Sequence, residues 1–158
     1  MIRNRLLLAI DQFEPGDSAI DFTIGHASRC GADVVVLHVR ELPANLRVPP
    51  LESAGAARDL VELTVLRMRA AGVTASGLAF SARAGTVAQR IVQVSVDERC
   101  VGIVLGSRRL RGIRRLTGSR VRERVLRTSH LPVIVAPPGL RCTGRELTSV
   151  LSGSPTGS

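Results

Sequence analysis

Lysine, tryptophan and tyrosine are missing from the 158 residues, and phenylalanine occurs only as Phe13, Phe22 and Phe80. Without lysine there is no P-loop, because GxxxxGK(S/T) needs that ammonium on the phosphates. The shortage of aromatics removes the stacking platforms that usually hold single-stranded nucleic acid. Cysteine is sparse as well. Cys30, Cys100 and Cys142 are odd in number, far apart and form no CxxC pair, so reduced thiols serving as small apolar fillers are expected. His26, His38 and His130 are equally scattered and show no metal-ligand spacing. Apolar runs such as 34–37 stop far short of the ~20 residues that span a bilayer. No charged-then-apolar leader opens the chain. The expectation is a cytoplasmic protein with no membrane segment and no metal site.

What is present fits one ordered domain. The length suits a single core built without disulfides, and 44% of the residues are hydrophobic, mostly aliphatic. The net charge is +9, carried by 22 arginines. That charge attracts polyanions in general and says nothing about fold. Using arginine throughout in place of lysine can follow from genomic base composition, but crowding the arginines into one segment cannot.

Hydrophobic periodicity divides the chain into alternating elements. Residues 5–11 (RLLLAID) form an apolar run of strand length ending in Asp11. From about 16 to 30, Ile20, Ile24 and Ala27 recur at helical spacing with Ala19 and Phe22 beside them, and Gly31 closes the helix. Residues 33–39 (DVVVLHV) lack polar alternation, as a strand covered on both faces should. Pro43, Pro49 and Pro50 mark a long connection over 40–54. A helix over 55–71 places Ala57, Val61, Val65 and Met68 on one stripe with Leu60 and Leu63 beside it, and Gly72 ends it. A weaker strand spans 74–82. Thr86 and Gln89 have the spacing of a capping box, which opens a helix to about 98 with Val87, Ile91 and Val94 inward. Residues 100–106 make a fourth strand. A short helix capped by Ser119 turns Val121 and Val125 inward and Arg120, Arg124 and Arg127 to another face. Residues 132–136 form the last strand. The chain after Gly139 is expected to be a mobile tail beyond a domain of residues 1–138.

The order β-α-β-α-β-α-β-α-β predicts an α/β fold: a single Rossmann-like domain with a five-stranded parallel sheet flanked by four helices. In such sheets ligands sit beyond the carboxyl ends of the strands where strand order reverses. Asp11, Val39 and Gly106 end strands one, two and four, and so converge at one edge. Gly106 then opens an arginine-loaded loop, GSRRLRGIRRLTGS, that leads into the last helix. Between Arg108 and Arg127 lie nine arginines and a single acid, Glu123. A glycine at a strand end and another at a helix start bring bare amides and a positive dipole end to an anion. Asp11 reads either as a ligand contact or as a solvated strand-end carboxylate. The arginines read as a solvated face, a phosphate-binding loop, or a docking surface for an acidic protein. Nucleic acid ranks below these, because only non-specific backbone binding needs no aromatics. His38, inside a strand, reads as a packed, hydrogen-bonded histidine. No nucleophile–base pair or paired-carboxylate signature appears, so no catalytic residues are assigned.

The chain resembles the universal stress protein family over roughly residues 3–138. The resemblance rests on the opening strand at 6–11, the Leu37-His38-Val39 sequence, and the ending GSRRLRGIRRLTGSRV followed by LPVIVAPP. It implies an adenine nucleotide alpha-hydrolase-like fold that binds ATP, with Mg²⁺ as a companion ion, in a stress-response regulatory role. By that likeness Asp11 meets the nucleoside, and the backbone at Ala9 and Val39 lines the adenine slot. Gly106, Gly118 and Ser119 meet phosphate, with Arg120 directly after them. The likeness also implies a homodimer paired through strand 132–136. The loop departs from the family pattern G-x2-G-x9-G-(S/T): Arg109 stands at the second glycine, and eleven residues separate Gly106 from Gly118 instead of twelve. Arg109 therefore either fills the phosphate volume or binds a phosphate with its fork of donors. Any turnover of ATP is expected to be slow. The reading from another class is a nucleotide-free interaction module that docks an acidic partner through the arginine-rich loop and helix.

Overall fold

A computed structural model describes residues 3–12, 18–106 and 115–137, with backbone alone for 115–119. Nine elements follow in strict alternation: β1 (Arg5–Ile10), α1 (Ser18–Cys30), β2 (Asp33–Leu42), α2 (Ala54–Ala70), β3 (Ala75–Arg83), α3 (Val87–Asp97), β4 (Gly102–Leu105), α4 (Arg115–Thr128) and β5 (Val133–Val135). All strand pairs are parallel, in the order β3-β2-β1-β4-β5. The chain builds outward from β1 to β3 and then crosses back to β4. The reversal therefore falls between β1 and β4, as the alternating pattern requires of a two-sided sheet.

Two apolar layers flank the sheet. Leu6, Leu8, Val34 and Val36 face α1 and α2, with Val61, Val65 and Met68 packed over them. On the other face Leu7, Val35, Leu37 and Ile103 meet Val87, Ile91 and Val94 of α3 and Val125 of α4. Leu7, Leu8, Leu37 and Ile103 are fully buried. Burying an aliphatic side chain of this size stabilises the fold by about 1.5–3 kcal/mol each. The stripe of α1 is centred on Ala19, Thr23 and Ala27. Thr23 escapes a hydrophobicity count, yet it is buried because its hydroxyl donates to the Ala19 carbonyl at 2.7 Å.

Gly77 permits the closest approach of helix to sheet. A Cβ there would collide with Val61 Cγ1 and press on Val65 Cγ2. Gly31 and Gly72 end α1 and α2 at positive φ, 61° and 83°, as their positions after the apolar stripes predict.

Several boundaries differ from the sequence expectation. β2 runs on to Leu42, because Arg40, Glu41 and Leu42 keep their register against Ser81, Ala82 and Arg83 of β3. Val39 is thus interior to β2. Cys100 lies before β4: its amide donates to the Ser95 carbonyl, which ties it to the end of α3. Leu63 is 67% exposed and contributes nothing to the buried stripe of α2. Thr86 does occupy the N-cap position of α3, but its hydroxyl donates to the Arg83 carbonyl at 2.8 Å, so the capping box with Gln89 does not form. The helix expected to start at Ser119 begins at Arg115. Arg115, Leu116 and Thr117 are compatible with helix, and an interior glycine costs only about 1 kcal/mol there. Gly118 and Ser119 therefore lie within α4. Arg109 and the tail from Gly139 lie outside the described residues.

Candidate functional site at the carboxyl edge of the sheet

β1 stops at Ile10, opposite His38, while β2 continues past it. On its other side β1 pairs with β4 only as far as Ala9 opposite Leu105. The sheet edge is therefore stepped, and Asp11 is the first residue beyond β1 at the point where strand order reverses. Val39 is the first residue of β2 beyond that step, and Gly106 is the first after β4. Three of the expected contacts meet at this edge, although Val39 does so because β1 is short and not because β2 ends there.

Ala9 and Val39 lie on the same sheet face, half-buried against the layer that α3 and α4 cover. Phe80 lies on that face too, in register with Val39. The Arg90 guanidinium stacks over the Phe80 ring at 4.3 Å, and its buried Nε has no hydrogen-bond partner among the described residues. Half-exposed apolar groups beside a carboxylate at a strand-order reversal make a surface able to take a flat, partly polar ring.

A groove of about 240 Å³ opens on this face between the end of β2, the start of α3 and α4. Glu41, Gly85, Val87, Ala88, Arg120 and Arg124 line it. Gly85 turns the chain at φ +85°, and Arg124 Nη1 donates to its carbonyl at 2.6 Å. The first amides of α3 have no intrahelical partner, and the Thr86 hydroxyl is turned away to Arg83. Two guanidinium groups and a positive helix end thus oppose the single carboxylate of Glu41. Of the expected phosphate contacts, Arg120 lines this groove, and Gly118 and Ser119 directly precede it in α4.

Sequence reasoning missed Glu41 and Gly85, and placed Arg124 only on the arginine face of the last helix. Gly85, between a strand and a helix start, was the one readable signal. The others are ordinary surface charges until the fold brings them together. No group of three or more potential metal ligands occurs among the described residues, and no described helix is long and apolar enough to cross a membrane.

Against known proteins, the model of the universal stress protein family matches residues 3–137. The chain belongs to the universal stress protein family. This family member is similar to the universal stress protein from Archaeoglobus fulgidus solved in complex with dAMP, at 25% identity and TM-score 0.64 over 87% of this chain and all of that one. A universal stress family protein from Burkholderia pseudomallei shares its fold at 21% identity and TM-score 0.66, over 85% of this chain and 96% of that one. So does an Arabidopsis thaliana family protein with AMP bound, at 16% identity and TM-score 0.57, over 87% and 93%. A comparison with curated protein sequences gave no match.

Proposed function

We propose that this family member is a stress-response regulatory protein of the cytoplasm that binds an adenine nucleotide, ATP with Mg²⁺, at the stepped carboxyl edge and turns it over slowly or not at all. The observation that carries this reading is that Ala9 and Val39 share one sheet face next to Asp11, the first residue beyond β1, where strand order reverses. The dAMP held by the similar Archaeoglobus protein supports it. In this reading Ala9 and Val39 line the adenine slot and the Asp11 carboxylate accepts from ribose hydroxyls. Gly106, Gly118, Ser119 and Arg120 face the phosphates, and Arg109 lends a further guanidinium. The Mg²⁺ would arrive with the phosphates, since it is commonly held by one or two carboxylates and substrate oxygens. Two copies pair through β5, an edge strand whose Val135 is 37% exposed.

Calorimetry with ATP and with AMP, with and without Mg²⁺ and at two salt concentrations, tests the site. Saturable binding of one nucleotide per chain, lost in Asp11→Ala, is the expected result. The exposed Arg120, Arg124 and Arg127 on α4 favour the second reading, an acidic partner docked without nucleotide. Heat that salt abolishes and Asp11→Ala leaves unchanged would favour that reading instead.

A further inference from the structure

His38 is buried in β2 on the sheet face opposite Ala9 and Val39, and its ring makes two contacts. Nδ1 lies 2.9 Å from the Ile10 carbonyl oxygen, and Nε2 lies 2.7 Å from Oε2 of Glu52. A carbonyl oxygen only accepts, so Nδ1 carries a hydrogen. Two lone pairs would repel at 2.7 Å, so a proton also lies between Nε2 and Oε2. Both side chains are 5% exposed.

Such a pair is a poor way to gain stability, because desolvating both groups offsets most of their attraction and apolar residues of equal volume commonly do as well. What it supplies is position. The Ile10 carbonyl belongs to the peptide whose N–H is that of Asp11, just where β1 has lost its neighbour β4. Glu52 directly precedes Ser53, the N-cap of α2, whose hydroxyl accepts from the Ala56 amide. Arg40 Nη1 holds the Glu52 carbonyl at 3.1 Å. One imidazole therefore joins the backbone entering Asp11 to the end of the long 43–53 connection.

We propose that His38 and Glu52 are positioning residues, a latch that clamps the Ile10–Asp11 peptide to the start of α2 and so holds Asp11 in place for its ligand. The proposal rests on the nucleotide reading for the ligand, but the clamp itself is measurable without one. Glu52→Gln leaves an amide that can pair with Nε2 in either role, whereas Glu52→Ala leaves Nε2 without that partner. In nuclear magnetic resonance spectra the Asp11 amide and the His38 ring nitrogens should shift in Glu52→Ala and stay near wild type in Glu52→Gln. AMP affinity should fall about tenfold in Glu52→Ala, the scale on which supporting contacts around a site act, and should be restored in Glu52→Gln.

An Asp11 amide unmoved in Glu52→Ala would overturn the latch. So would affinity losses in both variants that merely follow their losses of stability. If Glu52→Ala does not fold, AMP titration of the wild-type protein decides. His38 ring signals that respond although the ring lies on the far face support the latch, and signals that stay fixed while the Asp11 amide moves overturn it. A wild-type protein that binds no AMP would refute the nucleotide reading, and the ligand-free Asp11 amide in the Glu52 variants would then decide the latch.

Discussion

Arg124 donates from Nη1 to the Gly85 carbonyl at 2.6 Å, and this bond ties α4 across the groove to the turn that starts α3. Gly85 sits at φ +85°, where an L side chain is strained. Gly85→Ala should therefore lower stability by about 1–2 kcal/mol, seen as an earlier urea midpoint with unchanged slope. Arg124→Ala removes only an exposed contact, and its loss should stay below about 1 kcal/mol.

Gly77 and Gly55 should respond in opposite directions. A Cβ at Gly77 meets Val61 and Val65 of α2, whereas one at Gly55 finds nothing nearer than Ser53 Oγ at 3.8 Å. Gly77→Ala should cost about 1–3 kcal/mol through overpacking. Gly55→Ala, in the first turn of α2, should gain up to about 1 kcal/mol from helix propensity. Thermal unfolding of the two variants beside wild type checks the pair.

Burial pushes the Cys100 thiol up to about 11 from 9.0, against the smaller opposing pull of Arg5 and with a small push from Glu98. The folded state thus holds its proton more tightly than the unfolded state. The sign follows: this contribution to stability is complete below pH 9, and it is lost as pH rises through about 11. Cys100→Ala should lessen the fall in stability across that window. In the native protein at pH 8 the exposed Cys30 should react with a thiol reagent while Cys100 stays unlabelled until unfolding.

β5 has three residues and one open side. If a second copy covers that edge, as edge strands commonly require, Val135→Arg should convert a sedimenting dimer to monomer without loss of helical circular dichroism. A wild-type protein that sediments as monomer would remove the pairing from the proposed function.

Much of the fold was readable from residue pattern. Unbroken aliphatic runs such as 34–37 specify buried parallel strands, and Gly31 and Gly72 fall where the helical stripes end. Boundaries were less readable where hydrogen bonding outlasts hydrophobicity. β2 continues through Arg40 and Glu41 because β3 offers a matching ladder, and no composition signal records that. Thr86 carries the right residue at the right spacing for a capping box, yet its hydroxyl is taken by Arg83, a local competition that spacing does not reveal.

The candidate site divides the same way. The alternation of elements, the family, and the strand-end placement of Asp11 and Gly106 are legible in the residues alone, because they depend on local pattern along the chain. Packing set the rest: β1 stops short of β2, which exposes Val39 beside Asp11. Packing alone brought Glu41, Gly85, Arg120 and Arg124 around one groove and paired His38 with Glu52. These are contacts between residues distant in the chain, and their free energy depends on burial and on a separation of a few ångströms that only packing sets.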